Sequence, residues 1–215
     1  MQSVDKRYTV VHNLDRAFDH FNAALFGDTL PPCVITLHRH PRFHGYFYPQ
    51  AFQNRADAAQ ITHEIALNPD NFAGRTDEDI LSTLVHEMCH LQQQVYGKPG
   101  RSAYHNRQWA SMMLQIGLQP YSISDPSKMT GQGCSHHIIA GAAFSVACAS
   151  FLAVEGPVIH WQSAPALAAD AGAKAKNKVK YTCPGCGANA WGKPDLHLVC
   201  GNCEQEFASD AAEDD

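Results

Sequence analysis

The sequence predicts an α+β fold, in which helices pack beside a small mixed sheet, followed by a short C-terminal module organised by cysteines. Three observations support this prediction. Residues 76–97 have the apolar periodicity and the end signals of a long helix. Short segments rich in β-branched and aromatic residues precede it, at 34–37, 45–48 and 61–68. Two Cys-x-x-Cys pairs lie within residues 183–203.

The long helix has recognisable signals at both ends. Thr76 is placed to cap its N-terminus, and acidic residues at 77–79 fill the first turn. Gly97 and Pro99 mark the C-terminal end. The apolar residues between these signals recur at helical spacing, which indicates a face buried in a core: Ile80, Leu81, Leu84, Val85, Met88 and Leu91.

Within this helix, the segment His86-Glu87-Met88-Cys89-His90 has the pattern H-E-x-x-H. Histidines four residues apart lie on one helical face, so both imidazoles can reach the same metal ion. Glu87 lies beside that face, where its carboxylate can hold and deprotonate a water on the metal. The pattern is typical of a zinc metallopeptidase with Glu87 as its catalytic residue. The alternative is an ordinary helix whose two histidines are incidental.

A catalytic zinc site usually has three protein ligands and one open position, so a third ligand is expected. The extended motif that supplies a third histidine from the same segment is excluded, because Gln93 and Tyr96 occupy its glycine and histidine positions. His105 is the best candidate, since it opens a second amphipathic stretch that a short loop can fold back onto the first helix. Two alternatives remain: a glutamate on a second helix is the ligand, or His105 only caps its helix or is solvated.

A second metal-binding pattern lies near the C-terminus. Cys183-Pro184-Gly185-Cys186 precedes Cys200-Gly201-Asn202-Cys203 at the spacing of a zinc ribbon. Four thiolates close a tetrahedral site with no open position, so a zinc ion there would be structural. Its binding energy would fold a segment too short to form a sizeable core of its own. Two disulfide bonds are the competing interpretation, which the absence of a secretory signal disfavours.

Together these motifs resemble those of the SprT-like family of zinc metallopeptidases. Residues 21–31 are similar to the family's N-terminal helix and following loop, and residues 65–69 are similar to the strand before the active-site helix. The resemblance implies a zincin-like SprT-type metallopeptidase core with a protein substrate, followed by a zinc ribbon. It also implies two zinc ions, a catalytic one at His86, His90 and His105 and a structural one at Cys183, Cys186, Cys200 and Cys203.

The predicted boundaries divide the chain into five parts: a metallopeptidase core (8–122), a core extension with a strand and a buried helix (123–162), a linker (163–177), a zinc ribbon (178–207) and an acidic, disordered tail (208–215). The apolar stretch 138–154 is too short and too weakly hydrophobic to span a bilayer, so no membrane partner is expected. The absence of a signal peptide predicts a cytoplasmic protein.

Further candidate residues lie outside the two metal motifs. Adjacent residues on a strand point to opposite faces, so at most one of His136 and His137 can join a metal site, and a polar surface role is the preferred interpretation. Tyr104 and Tyr121 are candidates for stabilising the oxyanion formed from a peptide substrate. An edge strand of the sheet is a candidate docking site for that peptide.

The charge distribution bears on the partner. The net charge of −5 argues against a uniformly basic nucleic-acid binder. Lysines can neutralise phosphates, and exposed aromatic rings such as Tyr181 and Trp191 can stack on unpaired bases. A lysine cluster beside these rings makes the ribbon a candidate DNA contact: Lys174, Lys176, Lys178 and Lys180. A solvated linker with a core tryptophan is an equally weighted alternative.

These features predict a zinc-dependent peptidase that cleaves DNA-associated proteins, with Glu87 as general base. One alternative is a peptidase with no role on nucleic acid. The other is a nucleic-acid- or transcription-associated zinc-binding factor without protease activity.

Overall fold

The computed structural model describes residues 9–101, 103–164 and 178–209. These residues fall into two compact units, with the division after Ser163. Most of the predicted linker (163–177) and of the predicted acidic tail (208–215) lies outside the described residues. Lys174 and Lys176 lie outside them as well.

The described part of the first unit combines helices with small sheets, which confirms the predicted α+β class. Its helices are α1 (Thr9–Phe26), α2 (Asp77–Tyr96), α3 (Arg107–Gln115) and α4 (Ala143–Glu155), with a short 3-10 turn at Pro69–Asn71. None of the helices in the described ranges combines the length and apolar character needed to cross a bilayer.

The main sheet is mixed, as predicted. Its central strand β3 (Ile61–Leu67) is parallel to β1 (Val34–Leu37) and antiparallel to the edge strand β2 (Gly45–Gln53). Two smaller antiparallel ladders join later segments of the unit. They pair β4 (Tyr104–His105) with β6 (Gly131–Gln132), and β5 (Leu118–Ser122) with β7 (Cys134–Ile138).

Helix α2 contacts the main sheet and the other three helices. Its N-terminus has a capping box, in which Thr76 Oγ1 accepts a hydrogen bond from the Asp79 N–H and the Asp79 carboxylate accepts one from the Thr76 N–H. Its last turn ends at Gly97, whose N–H donates to the Gln93 carbonyl at 2.9 Å. Because packing partners surround α2, the histidine motif is held in the interior.

Strand β2 approaches α2 closely at Gly45. A Cβ at this position would lie 2.9 Å from the Ala66 carbonyl oxygen and 3.1 Å from the Thr83 Cγ2. Only glycine therefore fits here without displacing the strand or the helix. This close approach brings the residues of β2 that follow Gly45 next to α2, the helix that contains His86, Glu87 and His90.

The predicted core extension contains a strand and then a helix, and the helix is shorter than the apolar stretch 138–154. Residues 134–138 form β7, and α4 begins at Ala143. Phe144 and Phe151 are buried against the core, whereas Val146 and Val154 are exposed. The segment is uniformly apolar in sequence, but it packs on α1 and α2 along one face only.

The second unit is a three-stranded antiparallel sheet, in which β8 (Val179–Thr182) lies between β9 (Asn189–Gly192) and β10 (Ala208–Ser209). Tyr181 forms its small interior. Its hydroxyl donates to the Lys193 carbonyl at 2.6 Å and accepts from the Leu196 N–H at 3.0 Å. Strand β10 includes residues that the sequence boundaries assign to the tail.

Candidate metal centre

Three histidines converge in the first unit. His86 and His90 come from α2, and His105 comes from β4. One ring nitrogen from each lies within 4.8 Å of the other two, which is close enough for all three to hold one metal ion. His86 and His105 are buried, whereas His90 is half-buried. The structure thus brings together the three residues that the sequence singled out.

His105 reaches the cluster from a strand rather than from the start of a helix. It pairs with Gly131 across the β4–β6 ladder, and its Nδ1 lies 3.4 Å from the Gly131 carbonyl oxygen. Helix α3 begins two residues later, because Asn106 caps it by accepting a hydrogen bond from the Trp109 N–H at 3.0 Å. The prediction that His105 opens the helix is therefore wrong, although its proposed partners are in place.

Trp109 packs against all three imidazoles. Its ring centroid lies 4.8 Å from that of His86, 5.1 Å from that of His90 and 4.3 Å from that of His105. The indole is fully buried, and its Nε1 has no hydrogen-bond partner. The sequence identified Trp109 only as an apolar helix residue, because nothing in its spacing indicates this contact.

The electrostatics of the cluster suit metal ligation. Burial lowers the pKa of His86 well below its ordinary value, and the neighbouring histidines lower it further. Burial also lowers the pKa of His105, and it lowers the pKa of His90 to about 3. The three imidazoles are consequently neutral, which is the form that binds metal. Three neutral nitrogen donors are a ligand set that suits zinc, among other divalent ions.

Glu87 is buried beside the cluster. Burial raises the pKa of its carboxyl to about 8, and a hydrogen bond from the Phe47 backbone N–H acts in the opposite direction. Phe47 belongs to the edge strand β2. The open edge of the main sheet therefore contacts the carboxylate of the motif.

His136 lies against the histidine cluster, although the sequence analysis preferred a polar role at the surface. Its Nδ1 is 3.1 Å from the Nδ1 of His86, and its Nε2 is 2.8 Å from the Ser82 hydroxyl. His137 is exposed on the other face of β7 and stacks on Tyr121. Strand alternation correctly predicted that only one histidine of the pair faces a site. Only the pairing of β7 with β5 determines which one.

The two candidate tyrosines occupy other surroundings. Tyr121 stacks on His137 with ring centroids 4.5 Å apart, on the strand face opposite to His136. Tyr104 precedes His105 in β4 and lies beneath the Arg101 guanidinium, 5.2 Å from its carbon. Neither contact supports an oxyanion role for these tyrosines.

Four cysteines form a second cluster in the C-terminal unit. The sulfur atoms lie within 4.8 Å of one another, so they could hold a metal ion: Cys183, Cys186, Cys200 and Cys203. All eight cysteines of the chain are free, so the disulfide interpretation is wrong. The two turns share one geometry, because the N–H of Gly187 donates to the Cys183 carbonyl and the N–H of Glu204 donates to the Cys200 carbonyl. Backbone N–H groups of Asn202 and Cys203 lower the pKa of the Cys200 thiol, which favours its thiolate.

Comparison with known families identifies the first unit. Residues 14–128 match the SprT-like family, and this segment is more than half of the chain. The chain belongs to the SprT-like family. The three clustered histidines lie within the matched SprT-like segment, whereas His136 and the four cysteines lie beyond it.

The SprT-like chain is also similar to an uncharacterized protein in the mucB 3′ region of Salmonella typhimurium. The two are 50% identical over 42 residues, which is 20% of this chain and 57% of that protein. The match thus spans little more than half of the relative's length, and the relative's name describes no activity.

The C-terminal unit of this SprT-like protein exposes one of the two predicted aromatic residues. Trp191 is 64% exposed, which rules out the core-tryptophan interpretation, whereas Tyr181 is buried. Lys180 pairs with Trp191 across β8 and β9, so the two side chains share a face of the sheet. Lys178 is exposed and directly precedes β8.

Proposed function

We propose that this chain is a zinc-dependent peptidase that cleaves proteins associated with DNA. The observation that carries the peptidase part is the convergence of His86, His90 and His105 beside the buried carboxylate of Glu87. Membership of the SprT-like family supports the same chemistry.

In this proposal His86, His90 and His105 hold the catalytic zinc ion, and Glu87 is the general base. When bound, zinc supplies a Lewis acid that polarises the scissile carbonyl and makes water a better nucleophile. With zinc bound, the nearby positive charge would oppose the effect of burial and favour the ionised carboxylate of Glu87. An oxygen of this carboxylate would then accept a proton from the attacking water. It then delivers this proton to the amine nitrogen as the carbon–nitrogen bond breaks. The Phe47 N–H orients the carboxylate during both transfers.

The edge strand β2 is the proposed docking site for the peptide substrate. An extended peptide can add to an open sheet edge through main-chain hydrogen bonds. Two observations favour β2: it lies at the edge of the main sheet, and its Phe47 contacts Glu87. A peptide paired with this edge would pass close to the general base.

The four cysteines are proposed to hold a structural zinc ion. Their sulfur atoms are already grouped, and two buried thiols and a short sheet frame the site. The ion would supply folding energy that so small a sheet cannot obtain from its own core. The free cysteines also support the cytoplasm as the proposed compartment, because reducing conditions keep thiols available for metal.

The DNA-associated part of the proposal rests on one face of the C-terminal sheet. Lys180 shares that face with the exposed Trp191, and the exposed Lys178 directly precedes the strand. Lysines can contact phosphates while an exposed indole stacks on an unpaired base, so single-stranded DNA is the proposed nucleic-acid partner.

Glu87→Gln tests the peptidase part, with Glu78→Gln on the same helix as the matched control. Metal-loaded proteins are incubated with an unfolded protein substrate, and both metal content and cleavage are measured. Glu87→Gln should bind metal like wild type and lose roughly 10²- to 10⁴-fold in cleavage rate. Glu78→Gln should cleave like wild type. Equal cleavage by Glu87→Gln and wild type would reject Glu87 as the general base.

Adding single-stranded DNA to the same assay tests the substrate class. A DNA-binding protein substrate should be cleaved faster when DNA is present. The C-terminal unit and the substrate would then bind the same DNA molecule, which brings the substrate close to the peptidase. Cleavage without any effect or binding of DNA would instead indicate a peptidase with no nucleic-acid role. DNA binding by metal-loaded wild type without cleavage would indicate a zinc-binding factor.

A further inference from the structure

His136 bridges two positions of the motif helix. Ser82 and His86 lie four residues apart on α2, and thus on one face, one turn from each other. His136 Nε2 lies 2.8 Å from the Ser82 Oγ, while His136 Nδ1 lies 3.1 Å from the His86 Nδ1. Pairing of β7 with β5 sets His136 opposite Pro120 and holds its ring in this position.

The hydrogen bonds of this bridge have one consistent direction. The Ser82 hydroxyl donates its only hydrogen to the Asp79 carbonyl at 2.7 Å, so its oxygen is left as an acceptor. His136 therefore donates to Ser82 through Nε2–H. In the neutral imidazole the other nitrogen, Nδ1, is then an acceptor, and it receives a hydrogen bond from the Nδ1–H of His86.

This direction determines the tautomer of His86. A neutral His86 with its proton on Nδ1 has a free lone pair on Nε2. The reverse direction would place the His86 proton on Nε2 and leave no nitrogen of that ring free to bind a metal. The bridge thus selects the one tautomer in which His86 can be a ligand through Nε2.

We propose that His136 is a positioning residue of the metal centre, which accepts the Nδ1 proton of His86 and so presents the Nε2 of His86 to the metal ion. Hydrogen bonds of this kind fix the orientation of a ligating ring and increase its basicity. The inference rests on the proposed metal site, and it adds a residue from outside the segment that matches the SprT-like family.

The sharpest test compares two amide substitutions at one position. In His136→Asn, the side-chain oxygen can occupy the place of Nδ1 and still accept from His86. In His136→Gln, the amide reaches the place of Nε2, so the contact with Ser82 is retained and the acceptor for His86 is lost. Zinc affinity of the histidine site should fall roughly 10- to 100-fold in His136→Gln and His136→Phe. It should stay close to wild type in His136→Asn.

His137→Phe is the matched control, because His137 lies next to His136, faces outward and can keep its stacking on Tyr121 as phenylalanine. Affinities are measured by competition with a chromophoric chelator in the full-length protein. Cobalt substitution distinguishes the two sites, since only the cysteine site produces thiolate charge-transfer bands. The cysteine site should be unchanged in every variant. Equal affinities for His136→Asn and His136→Gln, or an equal loss in His137→Phe, would overturn the proposal.

A spectroscopic measurement tests the tautomer without any variant. In zinc-loaded protein, long-range nitrogen–proton correlation spectra should show the His86 proton on Nδ1 and the His136 proton on Nε2. A His86 proton on Nε2 would overturn the inference. If wild type binds no metal at the histidines, the proposed function fails instead, so the two failures can be distinguished.

Discussion

The indole of Trp109 stacks on the imidazole of His90, with ring centroids 5.1 Å apart and ring planes 17° apart. The same indole meets His86 and His105 edge to face. One fully buried side chain on α3 therefore supports three candidate ligands from two other elements. Aromatic pairs in these geometries are favourable, by about 0.5–1.5 kcal/mol beyond the burial of their area.

Replacing this indole should weaken the first unit. Trp109→Phe leaves a cavity beneath the histidines, so the free energy of unfolding should fall by about 1–3 kcal/mol. Urea unfolding of metal-free protein, followed by circular dichroism, measures the change. Trp191→Phe is the control, because Trp191 is exposed. Equal stability of Trp109→Phe and wild type would show that the indole does not support the cluster.

His105→Ala should remove one ligand and leave α2 intact. Because His105 lies on β4, its loss does not alter the capping box or the C-terminal end of α2. Metal content should drop from two ions per chain towards one, with the remaining ion at the cysteines. Elemental analysis after gel filtration measures this. His160→Ala, which alters an exposed histidine, should retain both ions. Full metal content in His105→Ala would require a different third ligand.

Replacing Cys183 and Cys186 together by serine should unfold the C-terminal unit only. The two units are separately compact, so the described residues up to Ser163 should keep their fold and their histidine site. Proton–nitrogen NMR spectra should lose the dispersed signals of residues 178–209 and retain the others. Binding to single-stranded DNA should weaken in the same variant. Unchanged DNA binding would place the DNA contact elsewhere.

Trp191→Ala tests stacking directly. Removing an aromatic platform typically costs about 1–3 kcal/mol of binding per stacked base. The C-terminal unit should stay folded, because Trp191 is exposed and Tyr181 forms its interior. Fluorescence anisotropy with a labelled single strand measures the affinity. Val199→Ala removes another exposed apolar side chain of this unit and should leave the affinity unchanged. A similar loss in both variants would argue against stacking.

Gly45→Ala should displace the edge strand from α2. Its added methyl would meet the Ala66 carbonyl and the Thr83 side chain, and overpacking of this kind typically costs about 1–3 kcal/mol. Gly201→Ala is the control, because open space surrounds that position. Thermal unfolding of both variants measures the difference. Cleavage should also fall in Gly45→Ala, since Phe47 would shift away from Glu87. A variant as stable and active as wild type would contradict this account of the strand.

Local signals made much of the fold predictable. Helix α2 begins after Thr76 and ends at Gly97, as predicted. Both ends could be read from the sequence, because the unpaired N–H and C=O groups at a helix end are satisfied by residues nearby in the chain. The strand segments before α2 were also found, although β2 extends to Gln53, beyond the predicted end. The two Cys-x-x-Cys pairs could also be predicted as metal-binding turns, since each turn is local and brings its own two sulfur atoms together.

Contacts between distant segments were not predictable in this way. His105 was assigned to a helix, but pairing with Gly131 made it a strand residue. His136 was assigned to the surface, but pairing of β7 with β5 turned it towards His86. In both cases the sequence identified the residue, whereas pairing with a strand more than ten residues away determined the direction of its side chain.

The sequence by itself determined the motif helix, its two histidines His86 and His90 and the presence of two cysteine turns, because these depend on spacing within a single element. Only the tertiary structure decided which histidine of the pair at 136 and 137 meets His86, that Trp109 lies against the three imidazoles, and that Trp191 is exposed. These outcomes depend on strand register and on packing between elements, where one residue of slip reverses every side chain.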